Sequence, residues 1–106
     1  MSRVKFSDVA RQDVVRLRAF LAQYDAVIAD RAIQTIFDGI ETLSINPFNG
    51  SPVADRPMVR KLVISFGATG YLVFHKYYEQ LDVSVIATIL HQKEFYEPQT
   101  IGLTSQ

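Results

Sequence analysis

The spacing of apolar residues predicts two helices. Ala10, Val14, Leu17, Leu21 and Tyr24 recur at intervals of 4, 3, 4 and 3, the period of one face of a helix with about 3.6 residues per turn. Asp13, Arg16, Arg18 and Gln23 fall off that seam. Ser7 stands at the N-cap position, and Asp8 brings negative charge to the positive end of the helix dipole. Ala29, Ile33, Ile36, Ile40 and Leu43 repeat the spacing behind a second N-cap, Asp25. Helices joined by so few residues fold back as an antiparallel hairpin. Asn46-Pro47 stops the second helix, because proline lacks the amide and disfavours helical geometry in the residue before it.

The rest of the chain alternates with period 2. Val4-Lys5-Phe6 is a short strand ahead of the helices. After a loop at Asn49-Gly50-Ser51-Pro52 and an irregular stretch through Pro57, residues 60–66 alternate, with Leu62, Ile64 and Phe66 against Lys61, Val63 and Ser65. Gly67-Ala68-Thr69-Gly70 turns the chain into a strand over 71–78, and Glu79-Gln80-Leu81-Asp82 turns it into another over 83–90. The order β-αα-βββ predicts an α+β domain over residues 1–106, its helix hairpin packed on one face of a small, mainly antiparallel sheet.

That sheet has apolar side chains on both faces. Alternation puts Tyr71, Val73 and Tyr77 on one face with Val83, Val85, Ala87 and Ile89, and Leu72, Phe74, Tyr78, Ile86 and Leu90 on the other. One helix hairpin covers one face. The tail offers Phe95, Tyr96, Ile101 and Leu103 for part of the second, and an apolar surface left over marks a site for a protein partner.

Composition narrows the chemistry. Apolar residues make up 48% of the chain, which argues against disorder. The absence of cysteine excludes disulfides, thiol nucleophiles and cysteine metal sites, and two histidines without carboxylates at ligand spacing make no metal centre. No cofactor motif is present. Eleven basic residues balance eleven acidic ones, which argues against a protein built to grip phosphates, although residues 1–61 hold nine basic and seven acidic side chains. No run reaches the length of a membrane span and no signal peptide is recognisable, so the expected location is the cytoplasm. His91 and Lys93, where the last strand runs out, and Arg60, at the start of the first long strand, are the candidate contact residues. His75, inside a strand, reads as a core histidine.

From Val4 to about Tyr96 the chain resembles the RelE/ParE superfamily of toxins from type II toxin–antitoxin systems. The resemblance is carried by Ala10 and Asp13 on the first helix, Leu43-x-x-Asn46-Pro47, Gly50-Ser51-Pro52-Val53, Val59-Arg60-Lys61-Leu62, Tyr71-Leu72-Val73-Phe74 and Ile89-Leu90-His91-Gln92-Lys93. The Gly-x-Pro-Val loop, the Arg-x-Leu strand and the strand-ending His-x-Lys place it nearer the ParE branch. The resemblance implies a growth-arresting, plasmid-stabilising toxin held by a cognate antitoxin. ParE members act on DNA gyrase, by binding rather than by bond chemistry of their own, and Arg60, His91 and Lys93 become the expected target contacts. Leu72, Phe74, Tyr78, Ile86 and Leu90 become the expected antitoxin surface. RelE members cut ribosome-bound messenger RNA, a reading that would rest on Lys93 and Tyr96. Where RelE nucleases place an arginine after the strand tyrosine, this chain has Leu72, which cannot stabilise charge on a phosphate. A toxin fold that only binds its antitoxin is the third reading. No sequence-specific nucleic-acid contact and no membrane contact are expected.

Overall fold

The computed structural model describes residues 1–96, the side chains of Phe95 and Tyr96 excepted. Strand β1 (Arg3–Phe6) leads into helices α1 (Asp8–Ala22) and α2 (Ala26–Glu41) and a 3-10 turn at Thr42–Ser44. Strands β2 (Ser51–Val53), β3 (Arg56–Phe66), β4 (Thr69–Tyr78) and β5 (Val83–His91) follow, and a short helix, α3 (Gln92–Tyr96), succeeds them. The five strands form one sheet in the order β1-β5-β4-β3-β2, antiparallel except where β1 runs parallel to β5.

Both predicted caps are in place. Ser7 Oγ accepts from the Ala10 amide at 3.0 Å, and Asp25 accepts from the amides of Val27 and Ile28. The α2 seam is buried along its length, with Ala29, Ile36 and Leu43 fully enclosed. Each large side chain there contributes about 1.5–3 kcal/mol of transfer free energy. The α1 seam holds from Ala10 to Leu21, but Tyr24 is 75% exposed because the helix ends at Ala22. The hairpin lies on the sheet face carrying Leu62, Ile64, Tyr71, Val73, Ile86 and Ile89. Gly39 brings α2 against β3 so closely that a Cβ there would lie 2.5 Å from Ile64 Cδ1.

Two strand features differ from the expectation. The irregular stretch before residue 60 is an edge hairpin: β2, with Pro52 in it, pairs with β3, which begins at Arg56. A proline is tolerated there because an edge strand has unpaired amides. The second difference corrects a face. β5 carries a bulge, since Phe74 pairs with Thr88 while His75 pairs with Ile86, leaving Ala87 as the extra residue. One extra residue reverses the alternation. Ile86 therefore lies in the helix-side core at 0% exposure, not on the outer face with Leu90, and Val83 and Val85 move to that outer face.

Gly50 and the turns set the strand ends. Gly50 has φ 98°, and a Cβ on it would meet the Lys61 carbonyl oxygen at 2.5 Å, so the Gly-Ser-Pro-Val segment enters β2 only with glycine. Asp82, at φ 51°, ends the β4–β5 turn and accepts hydrogen bonds from Ser2 Oγ and Tyr77 Oη. No helix among the described residues is long and apolar enough to cross a membrane.

Candidate functional site at the end of β5

β1 pairs with β5 only as far as Ile86. Beyond that point the outward backbone groups of β5 are taken by α1 and by the residue before it. Ser7 N–H donates to the Ile86 carbonyl and Ser7 Oγ–H to the Ala87 carbonyl. Asp13 Oδ2 accepts from Ile89 N–H at 2.9 Å and from Thr88 Oγ1–H, and Arg16 donates to the Ile89 carbonyl at 3.3 Å. The pair at i and i+3 thus stands in for a missing strand, satisfying groups that would otherwise be left unpaired. Asp13 is 8% exposed for that reason, although it lies off the apolar seam.

The end of β5 passes into α3 through a reciprocal cap. His91 Nδ1 accepts from Lys93 N–H at 3.1 Å, while Glu94 Oε1 accepts from His91 N–H at 2.8 Å. This is a variant of the capping box, with histidine in the N-cap place usually held by serine or threonine and its ring accepting from the second helical amide rather than the third. Because Nδ1 is the acceptor, the neutral ring carries its proton on Nε2, which donates to Thr69 Oγ1. Both ring nitrogens are occupied. Glu94 Oε2 takes the Arg16 guanidinium, whose other arm lies 3.2 Å from Asp13. Burial opposes the Arg16 charge, but hydrogen bonds to Glu94 and Asp13 outweigh it and push its pKa up.

Around these groups lies a cavity of about 660 Å³ lined with Leu17, Phe20, Leu21, Phe66 and Tyr71, and rimmed by His91 and Lys93. Tyr71 is 2% exposed and meets the His91 ring edge-to-face at 5.3 Å. Burial, with the nearby charge of Glu94, raises its pKa and keeps the phenol neutral. Among the described residues the Lys93 ammonium has no carboxylate partner, whereas Arg16 has two. No group of metal-ligating side chains occurs among the described residues.

The structure brings His91 and Lys93 together and leaves Arg60 apart. Arg60 pairs in register with His75, four residues along β4 from Tyr71 or roughly 13 Å. Its Nη2 donates to the Gly50 carbonyl at 3.0 Å, holding the loop before β2. His75 is fully buried there, its Nε2 donating to the Asn49 carbonyl at 2.9 Å, and burial lowers its pKa. On the outer face Leu72 is 1% exposed, Phe74 and Leu90 are half-buried, and Tyr78 is exposed. The Tyr96 side chain and the tail residues Ile101 and Leu103 lie outside the described residues. Asp13 was named from the sequence only as a carrier of the resemblance, and Arg16, Thr69 and Glu94 were not singled out as site residues. The signal for two of them was present: an acid and an arginine at i and i+3 on one helix.

Comparison with known proteins finds that a family model, the ParE toxin of the type II toxin–antitoxin system parDE, matches residues 4–96. A curated relative, Toxin RelE3 of Caulobacter vibrioides, is 35% identical over 94 residues, which cover 89% of this chain and 98% of that protein. The chromosomal ParDE system of P. aeruginosa has a similar fold, with a TM-score of 0.70 at 16% identity over 86% of this chain and 96% of that one. So does the toxin–antitoxin complex RelBE2 of Mycobacterium tuberculosis, with a TM-score of 0.63 at 19% identity, covering 86% and 91%.

Proposed function

The chain belongs to the ParE family of toxins of type II toxin–antitoxin systems, and from that premise we propose that it arrests growth by binding a protein target, DNA gyrase, through the cavity at the end of β5. The observation that carries this reading is the lining of that cavity: apolar side chains, an Arg16–Glu94 pair, and one cation, Lys93, that lacks a carboxylate among the described residues. Phosphate-gripping surfaces use several unpaired cations, and affinity falls steeply with each one removed. Here Arg16 is neutralised by Asp13 and Glu94, Lys93 is a point charge rather than a fork, and the chain carries no net charge. An apolar pocket whose charged lining is one internally paired arginine and glutamate plus Lys93 suits a protein hot spot. His91 shapes the strand end, and Lys93 makes the polar contact. Arg60 lies outside that cavity and holds the loop before β2.

The cognate antitoxin, in this reading, covers the outer sheet face, where Val63 is 54% and Tyr78 42% exposed beside half-buried Phe74 and Leu90. Leu72 lies on the same face but is 1% exposed, so it acts there through its neighbours Val63 and Leu90.

The test is a supercoiling assay with purified chain and gyrase, run beside primer-extension mapping of ribosome-bound messages. Inhibition with trapped cleaved DNA, weakened about tenfold or more in Lys93→Ala, supports the proposal. Intact supercoiling with codon-register cuts in message would replace it by the ribonuclease reading. Antitoxin binding with neither activity would leave the binding-only reading.

A further inference from the structure

The ion pair joining α1 to α3 links two segments 78 residues apart at the one place where the candidate target contact emerges. Arg16 touches three things at once: Asp13 on its own helix, the Ile89 carbonyl on β5, and Glu94 on α3. Glu94 is likewise two-sided, with one oxygen on His91 N–H and the other on Arg16. Lys93 lies between His91 and Glu94, its amide bonded to the His91 ring. With a neutral residue at position 16, Glu94 is held only by one backbone amide at a half-exposed site and gains rotamers in solvent. The cap then frays, and the backbone from which Lys93 projects beside the cavity loses its fixed orientation.

We infer that Arg16 is a positioning residue for Lys93, fixing the α3 cap from which that lysine reaches over the apolar cavity. The inference rests on the target reading above, because Lys93 is the group being positioned. Arg16 itself is spent on two carboxylates and a carbonyl, so its effect on the target passes through Lys93. A role in stability alone would predict a loss that persists whatever stands at position 93. A positioning role predicts a loss that disappears once Lys93 is gone.

The experiment uses the full chain in four forms: wild type, Arg16→Gln, Lys93→Ala and the double variant, with Glu94→Gln as a second route that leaves α1 untouched. Half-inhibitory concentrations for gyrase supercoiling are measured beside amide hydrogen exchange at Lys93. Arg16→Gln and Glu94→Gln should each weaken inhibition about fivefold, the scale of a half-exposed ion pair, and raise Lys93 exchange by a similar factor. The double variant should be no weaker than Lys93→Ala alone, since residues acting through one contact are not additive. Unchanged Lys93 exchange in both Arg16→Gln and Glu94→Gln would overturn the inference. So would losses that multiply in the double variant. If Lys93→Ala leaves gyrase inhibition intact, the target reading falls, and the exchange measurement alone decides whether Arg16 holds the cap.

Discussion

His75 is fully enclosed between β3, β4 and the loop ending at Gly50, with its Nδ1 unpartnered among the described residues and its Nε2 donating to Asn49. Burial lowers its pKa below the ordinary 6.5, a hydrogen bond to the Asn49 carbonyl partly opposes that, and the charge of Arg60 adds to the lowering. The unfolded chain therefore takes up a proton first as the pH falls. The stability contributed by neutral His75 is complete above about 6.5 and is lost as the pH drops below that toward the lowered value. Urea titrations at pH 7.5, 6.5 and 5.5 should show this fall, and His75→Gln, which keeps a donor near Nε2 without titrating, should flatten it. Equal slopes in both proteins would remove the assignment. His75 could be read from sequence as a core residue because it sits inside a strand. Asp13 and Arg16 could not be read this way: polar residues off an apolar seam look solvated, and their partners are backbone groups more than 70 residues away.

Among the elements, the helices were readable because each residue type agreed with its place: caps at Ser7 and Asp25, an unbroken seam, a proline stop. The bulge in β5 was hidden for the opposite reason. Val83, Val85, Ile86, Ile89 and Leu90 are apolar on both faces, so a one-residue slip leaves the pattern unaltered. α3 was hidden because its cap is a histidine. The contact between α2 and β3 at Gly39 gives a prediction at this scale. Gly39→Ala improves helix propensity by about 1 kcal/mol but forces the new methyl into Ile64 Cγ1 and Cδ1, at 2.8 and 2.5 Å. Overpacking costs about 1–3 kcal/mol, so a net loss of up to about 2 kcal/mol is expected in chemical denaturation. Ile64→Val removes Cδ1, and the double variant should be less destabilised than the two single losses summed. Additive losses would show that the helix moves aside instead.

For the whole molecule, a sheet with apolar side chains on both faces and a helix hairpin on one of them was visible from alternation alone. Which residues occupy the outer face was visible only in part, because Ile86 belongs to the core and Val63 and Val85 to the outer surface. The two faces separate the two proposed partnerships. Val63→Glu and Tyr78→Ala should each weaken antitoxin binding about tenfold while leaving gyrase inhibition within about twofold, within the spread of ordinary surface changes. Isothermal titration with the antitoxin and the supercoiling assay measure the two effects on the same preparations. Loss of both activities together, with an unchanged melting temperature, would merge the two surfaces into one.

The order of the strands also bears on when the toxin comes into being. β5, the last of the described strands along the chain, is not at the margin of the sheet but inside it, flanked by β1 on one side and β4 on the other. Until residue 83 emerges, β1 has no strand to pair with, and the core beneath the helices lacks Ile86 and Ile89. A nascent or prematurely ended chain therefore lacks two ladders at once, and folding must wait for contacts between residues about 80 positions apart. The sheet therefore closes only after residues 83–91 have joined the strands made before them.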